Sequence, residues 1–441
     1  MNPNDRIARR DFVRTATFAT AAASVGAGFA GSAAGATLLP RAPRRNPANA
    51  RLQFGLIGFG IRGKNLHGAF LDDEAVEIVS ICDPCATRAA EGKRRIDGRR
   101  GKEVCAIVPS WRDVVADPAI DGVIVVTPDH WHAEPAIAAS LAGKHVYCEK
   151  PLSLTIAEGR AIASAARAGG VRFQTGSQQR SEYGHMFVRA AEAVRNGRIG
   201  AVTRITIGVG APPVPCDLPD EEVPADTDWD AWLGQAPARG FNQILCPLGM
   251  HGHYPAWRNY REFANGGLAD MGAHHFDIAQ WALGMDESGP VSVTPPADGA
   301  KTGLVFRYAN GVEMVHGGPT DCTFHGPEGT IEVSRGHLRA YRGTDRSAPD
   351  APELLEAPSG DEVRLPRNAS HVADFLAAIR EGRDPIATAE TGHRTATVCQ
   401  LANIGYELGR PLAWDPVAER FTGEGADEAN ALTRRAARPH R

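Results

Sequence analysis

Hydrophobic and polar positions follow two different patterns along this chain, and the first pattern occupies residues 51 to 175. This region contains four short apolar runs, LQFGLIG, VEIVSICD, DGVIVVTP and KHVYCEKP, separated by segments of helical spacing such as EPAIAASLAG. Short apolar strands that alternate with helices are typical of a parallel sheet covered on both faces. The pattern therefore predicts a doubly wound α/β domain, with VRFQTGSQQR as its last element.

Residues 176 to 415 follow the second pattern. Strands are predicted in AVTRITIGVG, in KTGLVFRYANGVEMVHG on both sides of a turn at Asn310, and in CTFHGPEGTIEVSRGHLRAY. Helices are predicted in MFVRAAEAVRNGRIG, HVADFLAAIREG and TGHRTATVCQLANIGYELG, and long loops between residues 211 and 260. We therefore expect an α+β domain built on an open, mostly antiparallel sheet. Residues 416 to 441 are predicted to form a polar, frayed tail.

The first 50 residues differ in kind from both patterns. RRDFV precedes a run of small residues that ends in GSAAGA, with an A-x-A cleavage site at residues 34 to 36, and a spacer rich in proline, arginine and asparagine follows. This order is typical of a twin-arginine signal and predicts export by the twin-arginine translocase to the periplasm. A disordered, low-complexity terminus is the alternative. The run is too weakly apolar for a stable membrane span.

Composition narrows the class of protein. A chain of 441 residues with 43% apolar and 23% charged residues is typical of a globular protein with two or three domains. The formal net charge of -4 provides no basic surface for phosphate backbones, which argues against a nucleic-acid partner. The eight cysteines are scattered, so we predict free thiols rather than a disulfide scaffold, the C-x-x-C pair in CDPC included.

A glycine motif follows the first predicted strand and opens a helix. Its G-x-G-x-x-G spacing permits a tight turn and lets backbone N–H groups approach a pyrophosphate at the helix N-terminus; the glycines are Gly58, Gly60 and Gly63. Asp83 ends the second strand, where its carboxylate can accept hydrogen bonds from the adenosine ribose. The same carboxylate would repel the extra phosphate of NADP, which favours NAD. Arg62 and Arg88 could bind phosphate oxygens, so NADP is the alternative cofactor.

Four motifs in order resemble those of the glucose-fructose oxidoreductase/inositol dehydrogenase (Gfo/Idh/MocA) family. They are GFGIRG, TPDHWH at residues 127 to 132, CEKP at residues 148 to 151 and GGLADMGAHHFD at residues 266 to 277. The resemblance extends over about residues 51 to 415. It implies an N-terminal Rossmann domain that binds NAD, followed by a substrate domain whose open sheet commonly joins subunits into homodimers or homotetramers.

The resemblance also implies roles for individual residues. Lys150 would hydrogen-bond the reacting hydroxyl, beside a cis bond to Pro151, and Glu149 would lie near the nicotinamide. His274 would be the proton acceptor, and Asp270 would orient it or the substrate. The four-residue spacing places Asp270 and His274 on one helix face, and histidine suits proton transfer because its unperturbed pKa lies near neutral pH.

Two further sets of contacts complete the predicted site. The predicted cofactor contacts are Gly58, Phe59, Gly60, Ile61, Arg62, Gly63, Asp83, Thr127, Pro128, His130, His132, Glu149 and Lys150. The predicted substrate contacts are Gln178, Arg180, Tyr183, His251, His253, Trp257, Tyr260 and His275. His130 could instead be a core residue, Asp270 could also be the N-cap of its helix, and Asp277 is predicted to be a structural hydrogen-bonding residue.

These residues predict an NAD(P)-dependent oxidoreductase that removes a hydride and a proton from a carbohydrate or polyol hydroxyl. One alternative is an exported glycoside hydrolase, similar to NAD-dependent α-N-acetylgalactosaminidases, that oxidises C3 transiently; export would suit an enzyme that keeps its cofactor tightly bound. Another is a catalytically inactive sugar-binding protein. A metal site formed by the four histidines of HGH and HH with Asp270 is a rival, but this spacing matches no metal motif and we predict no metal.

Overall fold

The structure is a computed structural model that describes residues 51 to 319 and 321 to 440. The predicted export signal and spacer at residues 1 to 50 lie outside the described residues. Within the described residues, no helix is both long enough and apolar enough to cross a membrane.

The first half forms a six-stranded sheet in the order β3-β2-β1-β4-β5-β6, in which every pair of neighbours is parallel. Its strands are β1 (Leu52–Ile57), β2 (Val76–Cys82), β3 (Ala106–Ile107), β4 (Gly122–Val125), β5 (His145–Cys148) and β6 (Phe173–Thr175). Its helices are α1 (Ile61–Leu71), α2 (Ala86–Arg100), α3 (Trp111–Ala116), α4 (Ala133–Leu141) and α5 (Ile156–Gly169). The predicted doubly wound sheet is confirmed, and its strand order reverses between β1 and β4, where such folds bind ligands.

The second half forms a nine-stranded sheet in the order β13-β12-β11-β7-β10-β9-β8-β14-β15. Its strands are β7 (Arg204–Ile207), β8 (Ser292–Thr294), β9 (Val305–Arg307), β10 (Glu313–His316), β11 (Cys322–Gly326), β12 (Gly329–Ser334), β13 (His337–Tyr341), β14 (Leu412–Asp415) and β15 (Arg420–Thr422). The pair of β7 and β10 is parallel and the other registered pairs are antiparallel, which confirms the predicted sheet type.

The described part of the second half also contains six helices, and they are α6 (Met186–Arg195), α7 (Trp229–Leu233), α8 (Gly266–Leu283), α9 (His371–Glu381), α10 (Ala389–Leu408) and α11 (Ala426–Ala431). Helix α8 carries the GGLADMGAHHFD motif and begins after Asn265, so Asp270 lies in its second turn and is not its N-cap. The apolar side of α8 packs into the main core of this half, which includes Leu268, Phe276 and Ile278.

The predicted domain boundaries need two corrections. Helix α9, within the predicted second domain, belongs to the core of the first, because the Phe375 ring centre lies 5.8 Å from that of Tyr147. The tail is not frayed over its described part: β15 pairs with β14, and Arg435 forms a 2.7 Å ion pair with Glu158 of α5. The polar composition of the tail therefore reflects ion pairing with the first domain. All eight cysteines are free thiols.

A buried ion pair attaches α8 to the segment that follows β6. The Arg180 guanidinium donates to both carboxylate oxygens of Asp277, at 2.8 and 2.9 Å, and also to Asp286. The side chains of Arg180 and Asp277 are 1% and 0% exposed. Asp277 also accepts a hydrogen bond from Thr395 of α10, so it has the structural role that was predicted.

We predict that Arg180→Met lowers the free energy of unfolding by about 3 to 5 kcal/mol, because it leaves the Asp277 carboxylate buried without its cation. Chemical denaturation followed by circular dichroism measures the change. Arg342→Met is the matched control, since the exposed Arg342–Glu353 pair contributes at most about 1 kcal/mol. Equal losses in the two variants would show that the buried pair does not hold α8 in place.

Candidate active site

The carboxyl ends of four parallel strands surround a cleft of about 460 Å³. In chain order, the residues that follow these strands are Gly58 after β1, Asp83 after β2, Thr127 after β4, and Lys150 shortly after β5. Segments of the second half, among them α8 and the turn between β12 and β13, form the opposite wall. Residues from both halves therefore share one cavity, called the cleft below.

The glycine loop has the backbone that a pyrophosphate site needs. Gly58 has a φ of +88°, and a Cβ there would lie 2.9 Å from the Val126 carbonyl oxygen. A Cβ on Gly60 would meet nothing within 4 Å, and Gly60 precedes α1 without any side-chain cap. The first N–H groups of α1 are thus left for a ligand. Gly63 does not line the cleft; it allows α1 to pack closely against Gly58.

Asp83 is fixed in the position expected of a ribose-binding carboxylate. Its Oδ2 accepts from the Phe59 N–H at 2.7 Å and its Oδ1 accepts from the Cys85 N–H at 2.9 Å. Burial raises the pKa of this carboxyl, and the nearby Arg88 opposes that shift. The Phe59 side chain itself belongs to the core, so only its backbone can serve a cofactor.

The Nε and Nη2 donors of Arg88 are engaged within the protein, and the residue also lines the cleft. Its side chain is buried and donates to the carbonyl oxygens of Gly249, at 3.1 Å, and Pro247. A role for Arg88 in binding an NADP phosphate stays a prediction. Thr127 fits a cofactor better, because its buried hydroxyl has no partner among the described residues and it lines the cleft.

Lys150 and Asp270 form the ion pair at the centre of the cleft. The Lys150 Nζ donates to Asp270 Oδ1 at 2.8 Å and to the Asp270 carbonyl oxygen at 2.8 Å. The peptide bond from Lys150 to Pro151 is cis, as predicted. Burial acts to raise the pKa of Asp270, but the cations of Lys150 and Arg258 outweigh it, so the pKa is lowered and the carboxylate stays ionised.

His274 lies one helical turn after Asp270 and lines the same cleft. The side chain is nearly buried, and its Nδ1 has no hydrogen-bond partner in the described part of the chain. Burial, followed by the charge of Lys150, places the pKa of His274 well below its ordinary value of 6.5. The ring is therefore neutral near pH 7 and able to accept a proton.

Glu149 connects the glycine loop to the segment after β6. Its Oε1 accepts from the Arg62 Nε at 2.7 Å and from the Gln178 Nε2 at 2.9 Å. All three side chains line the cleft next to Lys150. Arg62 is thus already paired with a carboxylate on the first-domain side of the cavity.

Several predicted contacts line the cleft, and they are Gly58, Phe59, Gly60, Ile61, Arg62, Asp83, Thr127, Pro128, Glu149, Lys150, Gln178, Tyr183, His251, Trp257, Asp270 and His274. Besides Gly63, six others lie outside it, and they are His130, His132, Arg180, His253, Tyr260 and His275. The contacts of these six explain their positions.

Two of the six stabilise the wall of the cleft from behind and do not face the cavity. His130 is buried, contacts the Trp232 carbonyl oxygen at 2.9 Å, and is a core residue, which was the alternative interpretation. His132 contacts the carbonyl oxygens of Pro151 and Thr127 at 2.7 and 3.1 Å, so its ring holds together the segments that follow β4 and β5. Neither histidine lines the cleft.

The other four corrections concern predicted substrate contacts. The Arg180 guanidinium is bound to Asp277 in the buried ion pair described above. His275 is fully buried and 3.6 Å from Asp321, and burial lowers its pKa to about 3. His253 is exposed outside the cleft, where its carbonyl accepts from His251, and Tyr260 packs against a tryptophan-rich cluster.

Sequence reasoning missed several polar residues of the cleft, among them Asp129, Arg258 and Arg335. Asp129 is part of the TPDHWH motif, but no role was predicted for it. Burial raises the pKa of Asp129 to about 8, with Lys150 opposing the shift, so this carboxyl is mostly protonated at neutral pH. Arg335 comes from a hairpin turn that no local motif marks.

The described residues contain no group of three or more histidine, cysteine, aspartate or glutamate side chains that could hold a metal ion. His251 and His253 lie beside each other, with ring centres 5.0 Å apart, but His253 is outside the cleft that contains His274. The histidines of HGH and HH therefore do not converge on one point.

Comparisons with known proteins agree with both halves of the structure. Residues 52–177 match the description "Oxidoreductase family, NAD-binding Rossmann fold" of the Gfo/Idh/MocA models, and residues 215–441 match "Oxidoreductase family, C-terminal alpha/beta domain". A 1,5-anhydro-D-fructose reductase of Ensifer adhaerens is 27% identical over 385 residues, which cover 84% of this chain and 99% of that protein. An inositol 2-dehydrogenase of Rhizobium meliloti is 25% identical over 360 residues, which cover 76% and 90%.

The fold is also similar to that of a solved levoglucosan dehydrogenase in complex with NADH and levoglucosan. The TM-score is 0.55 at 22% sequence identity, and the superposition covers 82% of this chain and 99% of that one. At this identity the likeness supports the fold alone.

We predict that the acid limb of the kcat/KM profile for this site lies below pH 6.5. His274 must be neutral to accept a proton, and because its pKa is lowered, the fraction of neutral ring falls only at a pH below the ordinary histidine value of 6.5. Steady-state kinetics between about pH 4.5 and 8 measure the limb. A limb centred at or above pH 6.5 would contradict the assignment of this buried ring as the proton acceptor.

Proposed function

The chain belongs to the Gfo/Idh/MocA family of oxidoreductases, and from that premise we propose that it oxidises a hydroxyl of a carbohydrate or polyol with NAD. The arrangement of Lys150, Asp270 and His274 in one cleft with the glycine loop is the observation that carries the proposal. The relatives reported above, which are named for anhydrofructose reduction and inositol oxidation, act on the same class of substrate. None of their names indicates a hydrolase, so the glycosidase alternative gains no support.

Each residue of the central group contributes a distinct part of the reaction. Lys150 donates a hydrogen bond to the reacting hydroxyl and stabilises negative charge on its oxygen, while Asp270 holds the Lys150 Nζ in place. His274 takes the hydroxyl proton on a ring nitrogen. When bound, NAD supplies the acceptor for the hydride that leaves the same carbon.

Aromatic side chains of the cleft supply surfaces for a sugar ring. Trp131, Trp232 and Trp257 all line it, and each is at least nine-tenths buried. Apolar faces of this kind pack against the C–H surfaces of a sugar, while charged groups bind its hydroxyls. The combination favours a polyhydroxylated substrate over a purely apolar one.

We also propose export and self-association, which rest on the sequence. RRDFV and the small-residue run that follows support export through the twin-arginine translocase to the periplasm, and tight binding of NAD would let an exported enzyme keep its cofactor. The open nine-stranded sheet supports a homodimer or homotetramer. Recovery of the native protein in the cytoplasmic fraction would refute export, and a monomer by light scattering would refute association.

We predict that Lys150→Ala and His274→Ala each lower kcat about 100- to 10,000-fold, the range of general acid–base contributions. NAD binding should be largely retained, because both residues lie beyond the glycine loop and Asp83. NADH formation with a panel of sugars and polyols measures kcat, and fluorescence titration with NADH measures cofactor binding.

His253→Ala is the matched control, since this exposed histidine lies outside the cleft, and it should keep its activity within about threefold. Full activity of His274→Ala would remove this ring from the reaction. Loss of NADH binding in either cleft variant would move that residue from a chemical role to a cofactor role.

A further inference from the structure

One arginine of the cleft lacks a carboxylate partner. Arg335 follows the last residue of β12 and its side chain enters the cleft beside Tyr183 and His274. Among the described residues, no aspartate or glutamate oxygen lies within 4.0 Å of its guanidinium. Its Nε donates a hydrogen bond to the Gln179 Oε1 at 3.2 Å, and its guanidinium lies 5.0 Å from the ring centre of Tyr183.

The wall beneath Arg335 has an unusual backbone. Tyr183, Gly184 and His185 have φ values of 59°, 62° and 57°, so three successive residues adopt the left-handed region. This conformation is costly for bulky residues and persists where the surrounding structure fixes it, commonly at binding sites. The Tyr183 ring is held against Phe187 of α6, with ring centres 6.1 Å apart. Arg335 therefore lies over an aromatic surface that is itself positioned by strain.

A second arginine of the cleft has spare hydrogen-bonding capacity. The Arg258 guanidinium lies 4.2 Å from the ring centre of Trp257 and 5.0 Å from that of Tyr254. Its Nε is 3.5 Å from Asp270 Oδ1, yet this buried atom has no hydrogen-bond partner among the described residues. Asp270 already binds Lys150, so it does not neutralise Arg258 as well.

The cleft therefore has more positive than negative charge. Lys150 and Asp270 form one neutral pair, and Arg62 and Glu149 form another. Arg258 shares a carboxylate that is already used, and Arg335 has none within ion-pair distance. Both arginines come from the second half of the chain, whereas the glycine loop and Asp83 belong to the first, so the surplus lies on the substrate side.

Building on the proposed oxidoreductase function, we propose that the substrate is an anionic carbohydrate whose carboxylate or phosphate group is bound by Arg335. An arginine fork that is held by an aromatic ring and free of protein carboxylates is suited to such a group, because its remaining N–H donors can bind two oxygens at once. A neutral sugar would leave this guanidinium without a directly bound anion, since Glu182 and Asp321 act on it only from beyond ion-pair distance. Arg258 adds to the positive field that attracts the anion.

The test compares neutral and anionic sugars of the same stereochemistry. NADH formation is measured with D-glucose, D-glucuronate and D-glucose 6-phosphate, and with the corresponding galactose series. We expect kcat/KM to be at least about tenfold higher for an anionic member than for its neutral partner. This ratio corresponds to the stabilisation that one charge-assisted hydrogen bond provides. The better of the uronate and the phosphate identifies the anionic group.

The variant Arg335→Gln separates this inference from general sugar binding. It should reduce the preference for the anionic sugar to about unity, because kcat/KM for the anionic sugar falls toward that for its neutral partner. Arg342→Gln is the matched control, because Arg342 is exposed just after β13, is paired with Glu353, and lies outside the cleft. Fluorescence titration with NADH tests whether Arg335→Gln keeps its cofactor site, and we expect unchanged NADH binding.

Each outcome decides between the two proposals. Oxidation of neutral sugars without an anionic preference, or a preference that Arg335→Gln leaves unchanged, overturns this inference and leaves the oxidoreductase function standing. Absence of NADH formation with every member of a broad carbohydrate and polyol panel overturns the oxidoreductase function. In that case the affinities of the NADH complex for D-glucuronate and D-glucose are compared by tryptophan fluorescence, and equal affinities overturn the anionic site too.

Discussion

The ion pair between Lys150 and Asp270 is the contact on which the cleft depends. It joins two residues 120 positions apart, one just after strand β5 and the other on α8. Each half of the chain supplies one partner, so the pair sets the position of α8 relative to the parallel sheet. Because His274 lies one turn further along α8, the same contact also places the proton acceptor opposite the glycine loop.

Three polar residues on one side of α8 have three different roles. Asp270 holds the cleft lysine, His274 faces the cavity as a neutral ring, and Asp277 is buried against Arg180. Their spacing of four and three residues places them along a single stripe of the helix. The stripe is therefore both the reactive surface and the attachment of α8 to the first domain, which explains why it is polar although the helix is almost entirely buried.

The sequence predicted the elements whose signals are local and missed the contacts that form across the fold. Strand and glycine patterns predicted the parallel sheet, and the four-residue spacing predicted the shared face of Asp270 and His274. Arg180 was misread as a substrate contact because its partners Asp277 and Asp286 lie 97 and 106 residues away. Arg335 and the ordered tail were missed for the same reason: a hairpin turn and a polar terminus show no periodicity that reveals what they contact.

The proposed reaction requires one substrate hydroxyl to contact Lys150 and His274 together. The direct measurement is a crystal structure of the unsubstituted enzyme in an abortive complex with NADH and its best substrate, in which both Lys150 and His274 are present. We expect one substrate oxygen within about 3.2 Å of both the Lys150 Nζ and a ring nitrogen of His274. A substrate bound with its reacting oxygen near neither residue, or near Lys150 with His274 turned away, would contradict it.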